Sequence, residues 1–107
     1  MNMTCQHVAG TIVAEDNTIG IQGIFPGASI KIVKVFGGGS CGWAYSSDLI
    51  AAANYCASSG AKIISMSLGG SRRVEQEEAA FDALRKQGIL IFAAAGNGGT
   101  NAYSYPA

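Results

Sequence analysis

Apolar residues change their spacing along this chain, and the changes divide it into elements. Three short runs are dense in apolar and β-branched side chains: SIKIVKVF at 29–36, AKIISMSL at 61–68 and GILIFAAA at 88–95. Their length and composition predict three strands, and their nearly all-apolar character predicts burial on both faces. Between the first two lies SSDLIAAANYCASSG, in which Ser46 or Ser47 can cap a helix, Asp48 suits its first turn and Gly60 its stop. Between the second and third lies SRRVEQEEAAFDALRKQG, with Glu75, Glu77 and Glu78 near its start, Arg85 and Lys86 near its end and Gly88 beyond. Those charges complement the helix dipole at both ends. Val74, Phe81 and Leu84 recur at helical spacing, so this helix is expected to cover a sheet and turn its acidic residues to water. A further helix is predicted over about 4–14, where Val8, Ile12 and Val13 form an apolar side and Gly10 permits close packing. The stretch AEDNTIGIQGIFPG that follows reads as a loop.

Strand, helix, strand, helix, strand predicts an α/β fold: a parallel sheet with helices on both faces, in three α/β/α layers. In open sheets of this kind a ligand sits beyond the carboxyl ends of the strands. Here those ends are 36–42, 67–70 and 96–99, and all three are rich in glycine.

A length of 107 residues sets the expectation of a single domain. Seven basic and seven acidic side chains cancel, and 13% of the residues are charged, which leaves no electrostatic footprint for nucleic acid or an anionic membrane. No apolar run has the length of a membrane span, and the opening MNMTCQ lacks the basic and hydrophobic regions of a signal peptide. Fifteen glycines, roughly twice average usage, point to several places where the backbone turns tightly or is closely approached. Three cysteines allow one intramolecular pair. Cys41 and Cys56 flank a predicted helix and would close a loop of about 15 residues, worth about 3 kcal/mol. Such a bridge implies an oxidising compartment; two unpaired buried thiols are the other reading.

In this order and spacing, HVAGTIVAEDNTIGIQGIFPGASIKIVKVF, ISMSLGG and FAAAGNGG resemble the middle of a subtilisin-like serine protease, over roughly 6–107. The resemblance implies a partial subtilisin-like domain, with residues 1–5 an atypical junction, and serine endopeptidase chemistry on an extended polypeptide. It gives Asn97 the role of oxyanion-hole donor, and a neutral carboxamide beside small residues suits that role. Ser67, Leu68, Gly69 and Gly70 match the segment that pairs with substrate backbone and walls its first specificity pocket, and Ala94, Ala95 and Gly96 match the opposite wall. Residues 39–45 match an outer substrate loop, with Trp43 and Tyr45 as candidate aromatics. No cofactor is required. The EDNTIGI stretch resembles a calcium loop, with the Asn17 side chain and the carbonyls of Glu15, Ile19 and Ile21 as ligands. Ca²⁺ takes six to eight oxygens, so an empty polar turn is expected, with a weak structural site as the alternative. Tyr105-Pro106 matches a turn whose proline can be cis.

The family's histidine motif falls on TCQHVAG. His7 matches its second, structural histidine, and Thr4 stands at the general base. The orienting aspartate would precede this motif, and the nucleophilic serine would follow Ala107. The expectation is therefore a fragment that keeps the cleft without the triad, from an extracellular parent; a non-catalytic peptide-binding or structural fragment is the alternative. Exposed sheet edges in such a fragment predict self-association.

Overall fold

The computed structural model describes residues 3–36 and 45–107. Where a single domain is expected, the chain divides into two compact units, Met1–Ile32 and Val33–Ala107.

The first unit is built on helix α1 (Met3–Val13), at the position its apolar spacing predicts. The Thr11 hydroxyl donates to the His7 carbonyl one turn back, at 3.1 Å. The chain then doubles back over the last turn, and the N–H groups of Gly23, Ile24 and Phe25 donate to the carbonyls of Ala14, Thr11 and Ile12 at 2.9, 3.1 and 2.8 Å. Carbonyls at a helix C-terminus have no partner within the helix, so this loop satisfies them. Gly23 makes the approach feasible: a Cβ there would stand 2.5 Å from the Ala14 nitrogen and 2.7 Å from the Ile12 oxygen. Gly10, expected at a close contact, has open space where its Cβ would be.

The second unit contains helix α2 (Ser46–Ser58), strand β1 (Ile63–Met66), helix α3 (Glu75–Lys86) and strand β2 (Leu90–Ala93). Neither Ser46 nor Ser47 caps α2; the N-cap is Tyr45, without a side-chain cap, and Asp48 remains in the first turn to offset the dipole. Both helices end in the same way. Gly60 and Gly88 adopt φ of 89° and 85°. Their N–H groups donate to the carbonyls of Ala57 and Arg85, and the next residues, Ala61 and Ile89, donate to Cys56 and Leu84. This double reversal is the Schellman ending, which requires a left-handed residue and therefore favours glycine. It places Ile89 against Leu84, and both are buried.

Strands β1 and β2 pair in parallel, with Ile63 opposite Leu90 and Met66 opposite Ala93. Leu49 and Ala53 of α2, Ile64 and Met66 of β1, Leu84 of α3 and Ile89 form the core. Ile64 and Met66 share one face by strand alternation, so α2 and α3 cover that face. The other face is open within this unit: Ile63, Leu90 and Phe92 are 59%, 57% and 58% exposed. The unit is an α/β arrangement of two layers.

One sequence expectation changes here. Residues 29–36 form no strand; β1 and β2 are the two strands found among the described residues. The boundary between units falls inside that run, after Ile32, and Ile30 and Ile32 are 44% and 51% exposed. Branched side chains favour a strand only where a neighbouring ladder receives them. Cys56, one half of the expected Cys41–Cys56 bridge, is half-buried and packs against the core as a small apolar group. Cys41 itself lies outside the described residues.

On the solvent side of α3, Asp82 pairs with Arg85 and Lys86 at 2.7 Å each. Hydrogen bonds from Lys86, then from Arg85, hold its carboxyl below the ordinary aspartate range. A lowered folded pKa means that this contribution is present above the unfolded value and lost as pH falls through the folded one. Exposure keeps it small.

Candidate functional site

Because β1 and β2 run in one direction, their carboxyl ends open on the same side of the sheet. Residues 67–70 leave β1 and residues 94–97 leave β2. The Ala94 N–H donates to the Met66 carbonyl at 3.1 Å, extending the ladder past β2 and holding the two segments side by side. Leu68 turns inward and packs on the core, while Ser67 and Gly69 remain exposed. Ala94, Ala95, Gly96 and Asn97 are all exposed.

A third segment completes the site. Gly70 and Tyr105 exchange two backbone hydrogen bonds, 2.9 Å and 2.8 Å, in an isolated antiparallel bridge. The Tyr105–Pro106 peptide is cis. A Cβ placed on Gly69 would stand 2.7 Å from Ser104 Oγ and 3.8 Å from the Ala94 carbonyl oxygen; one placed on Gly96 would stand 3.6 Å from the same Oγ. Ser104 thus sits between the two strand-end segments, in space that two glycines leave free. Gly96 has φ of 88°, so its backbone also favours glycine. The chain reading missed Ser104. Its one signal was indirect: a glycine at a strand end calls for something close by.

Asn97 follows Gly96, and among the described residues no hydrogen bond engages its carboxamide. Two donor hydrogens are therefore available to a group placed in the cleft. Of the expected outer loop, Tyr45 is exposed at the start of α2; Trp43 and the rest of 39–44 lie outside the described residues.

Charge at the start of α3 is arranged unevenly. The Arg73 guanidinium donates through Nε and Nη2 to Glu78 Oε2 at 2.9 and 2.6 Å. That hydrogen bond, and then the charge of Glu78, raises Arg73 above its ordinary value. Glu77, expected on the solvated face, is instead 4% exposed, and its Oε1 has no hydrogen-bond partner.

In the first unit, His7 is exposed on α1 and Thr4 lies in the same helix. The implied calcium loop is closed on itself: Asn17 Oδ1 accepts the Ile19 N–H at 2.9 Å, and the Glu15 carbonyl accepts the Asn17 N–H at 3.1 Å. Two of the four implied oxygens are thus engaged, and four fall short of the six to eight Ca²⁺ takes. Ile19 and Ile21 are both exposed. By themselves these residues do not fit a calcium ion. Among the described residues, no group of three or more His, Cys, Asp or Glu side chains is placed to hold a metal, and no helix is long and apolar enough to cross a membrane.

Small-residue backbone meets at adjoining parallel strand ends, with an unengaged carboxamide beside it, in a protein of the α/β class. The protein belongs to the subtilase family, which matches residues 5–107. It is similar to the major intracellular serine protease of Bacillus subtilis strain 168, 44% identical over 106 residues that cover 94% of this chain and 33% of that protein. Subtilisin Savinase of Lederbergia lenta is 36% identical over 101 residues, covering 94% of this chain and 37% of its own. Among solved structures, the psychrophilic subtilisin-like protease Apa1 of the Antarctic psychrotroph Pseudoalteromonas sp. AS-11 superposes with a TM-score of 0.84 at 49% identity, over 94% of this chain and 23% of that one. The fold is a partial subtilisin-like α/β fold, and the chain spans between 23% and 37% of the length of these relatives.

Proposed function

We propose that the second unit supplies the substrate cleft of a serine endopeptidase. An extended polypeptide lies between residues 67–70 and 94–96, held by main-chain hydrogen bonds, and small residues on both walls leave room for its backbone. Asn97 donates to the oxygen that becomes negative as the scissile carbonyl turns tetrahedral. Such a donor accelerates the reaction because it is already oriented when charge develops. The observation that carries this reading is the pair of strand ends held together by the Ala94 to Met66 hydrogen bond, with the Asn97 carboxamide unengaged beside them.

The 107 residues themselves are expected to bind without turnover. Thr4 stands where the family resemblance puts the base, and a threonine hydroxyl does not accept a proton near neutral pH. His7 is the single histidine. The non-catalytic peptide-binding alternative therefore describes this chain taken alone, and proteolysis is proposed for the whole protein. The relatives include a protease named intracellular. An extracellular location rests on the likeness to subtilisins such as Savinase.

Two measurements test the reading. Purified chain should hydrolyse a peptide p-nitroanilide no faster than a mock purification, and a serine-directed phosphonylating inhibitor should label none of its serines. In a chimera, residues 7–107 replace the matching stretch of the Bacillus subtilis relative, which supplies everything else. There Asn97→Ala should lower kcat by about 10² to 10³, the cost measured for this donor in a subtilisin, with KM little changed. An active chimera indifferent to Asn97→Ala would remove the oxyanion role, and labelled serine in the isolated chain would remove the claim that it lacks turnover.

A further inference from the structure

Glu77 is the one charged residue buried among the described residues. It occupies the first turn of α3 with Glu75 and Glu78, but those two are exposed. The difference is one of face. Glu77, Phe81 and Leu84 are spaced four and three residues apart, so they share one side of the helix. On that side Phe81 packs on the core and Leu84 is 2% exposed. Leu68, in the strand-end segment of the cleft, packs on the same core. The first turn of α3 follows directly on the connection from that segment, so Glu77 belongs to the cleft end of the helix.

A carboxylate in apolar surroundings is unfavourable unless something compensates it. The helix N-terminus helps, since the first N–H groups there lack partners within the helix. It does not complete the compensation, because Oε1 remains without a hydrogen bond. Among the described residues no cation is bonded to Glu77: Arg73, at the start of α3, binds Glu78 through two nitrogens. Arg85 and Lys86 bind Asp82. A metal ion is disfavoured, since it needs several oxygen ligands and no cluster of three acidic, histidine or cysteine side chains is formed among the described residues.

We propose that Glu77 determines specificity in the cleft by receiving the ammonium or guanidinium of a basic side chain on the bound peptide. This rests on the peptide-cleft reading above. Successive side chains of an extended peptide point to opposite sides, so every second one from a chain laid along residues 67–70 turns toward α3. A lysine or arginine there lays its methylene stem along apolar surface near Leu68 and Phe81 and carries its charge to the buried oxygen. Shielded from water, such a pair is screened less by salt than a surface pair.

The test uses the 107-residue chain and N-acetylated, amidated hexapeptides of alanine and glycine in which one residue is changed at each position in turn. Lysine is compared with norleucine, which has the same stem without the charge, and binding is read by calorimetry. At one position lysine should bind about tenfold more tightly than norleucine, equivalent to about 1.4 kcal/mol. Glu77→Gln, close in shape and a good helix former, should erase that gain and leave norleucine binding unchanged. Equal affinities for the two residues at every position in the wild-type chain would overturn the inference, and that comparison does not depend on the variant folding. So would a lysine gain that survives Glu77→Gln. If the alanine–glycine peptide fails to bind at all, the cleft reading falls first and this inference falls with it.

Discussion

At Gly69 the tight contact lies between two segments of the candidate site: a Cβ would meet Ser104 Oγ at 2.7 Å, closer than such atoms stand in proteins. Gly69→Ala must therefore push Ser104 aside or shift the bridge from Gly70 to Tyr105. A destabilisation of about 1 to 3 kcal/mol follows, in the range of overpacking. Removing the hydroxymethyl group gives the space back, so Ser104→Gly should relieve most of that cost when combined with Gly69→Ala. Urea denaturation of the four proteins should show coupling of about 1 kcal/mol, whereas additivity within about 0.3 kcal/mol would separate the two residues. The sequence holds half of this relation. Glycine at a strand end shows that something comes close, but a serine between two tyrosines has no spacing that says what it approaches. Glu77 is a different case. Its distances of four and seven positions from Phe81 and Leu84 were legible and point inward. Three glutamates at a helix start satisfy the dipole so well that the solvated reading absorbed all of them.

Helix ends were read from the sequence more reliably than helix beginnings, and the reason is conformational. Gly60 and Gly88 follow apolar periodic stretches and adopt the left-handed backbone that the reversal needs. A Cβ at Gly88 meets nothing within 4 Å, so a substitution there tests backbone alone. Gly88→Ala should cost about 1 kcal/mol, the penalty of a left-handed residue with a Cβ. Gly10→Ala offers the opposite sign, because Gly10 lies inside α1 with open space at its Cβ. Ordinary helical backbone there favours alanine by about 0.5 to 1 kcal/mol. Far-UV circular dichroism through a urea titration measures both, and equal effects would mean that space rather than backbone governs Gly88. The start of α2 was less legible, since two serines can both cap in principle and Tyr45 holds the position without a side-chain bond. The failed strand at 29–36 has the same origin. Its alternating isoleucines carry β propensity, but a strand is a relation between segments, and local composition does not name the partner.

At the scale of the whole molecule, the parallel order of β1 and β2 is what brings the two strand-end segments together, and it leaves an apolar surface behind. Parallel sheets are ordinarily covered on both faces. In the second unit α2 and α3 cover one; the other presents Ile63, Leu90 and Phe92, with Ser65 opposite Phe92. Among the described residues each strand pairs on one side only, and a sheet this small gains stability from further pairing. Seven positive and seven negative side chains leave no net charge to hold copies apart. We therefore propose that the isolated chain associates with itself through this face. The weight-average mass from sedimentation equilibrium should rise with protein concentration, and more steeply in sulfate, which strengthens apolar burial. Leu90→Gln with Phe92→Gln should return the mass toward that of a monomer at unchanged net charge, while Leu90→Lys with Phe92→Lys should do so more completely by adding repulsion. Both substitutions fall on the open face, so the core of Leu49, Ile64, Met66 and Leu84 is untouched, and near-native circular dichroism is expected to accompany the loss of association. A monomer at every concentration, or association that both double variants leave intact, would show that the uncovered face does not carry the contact.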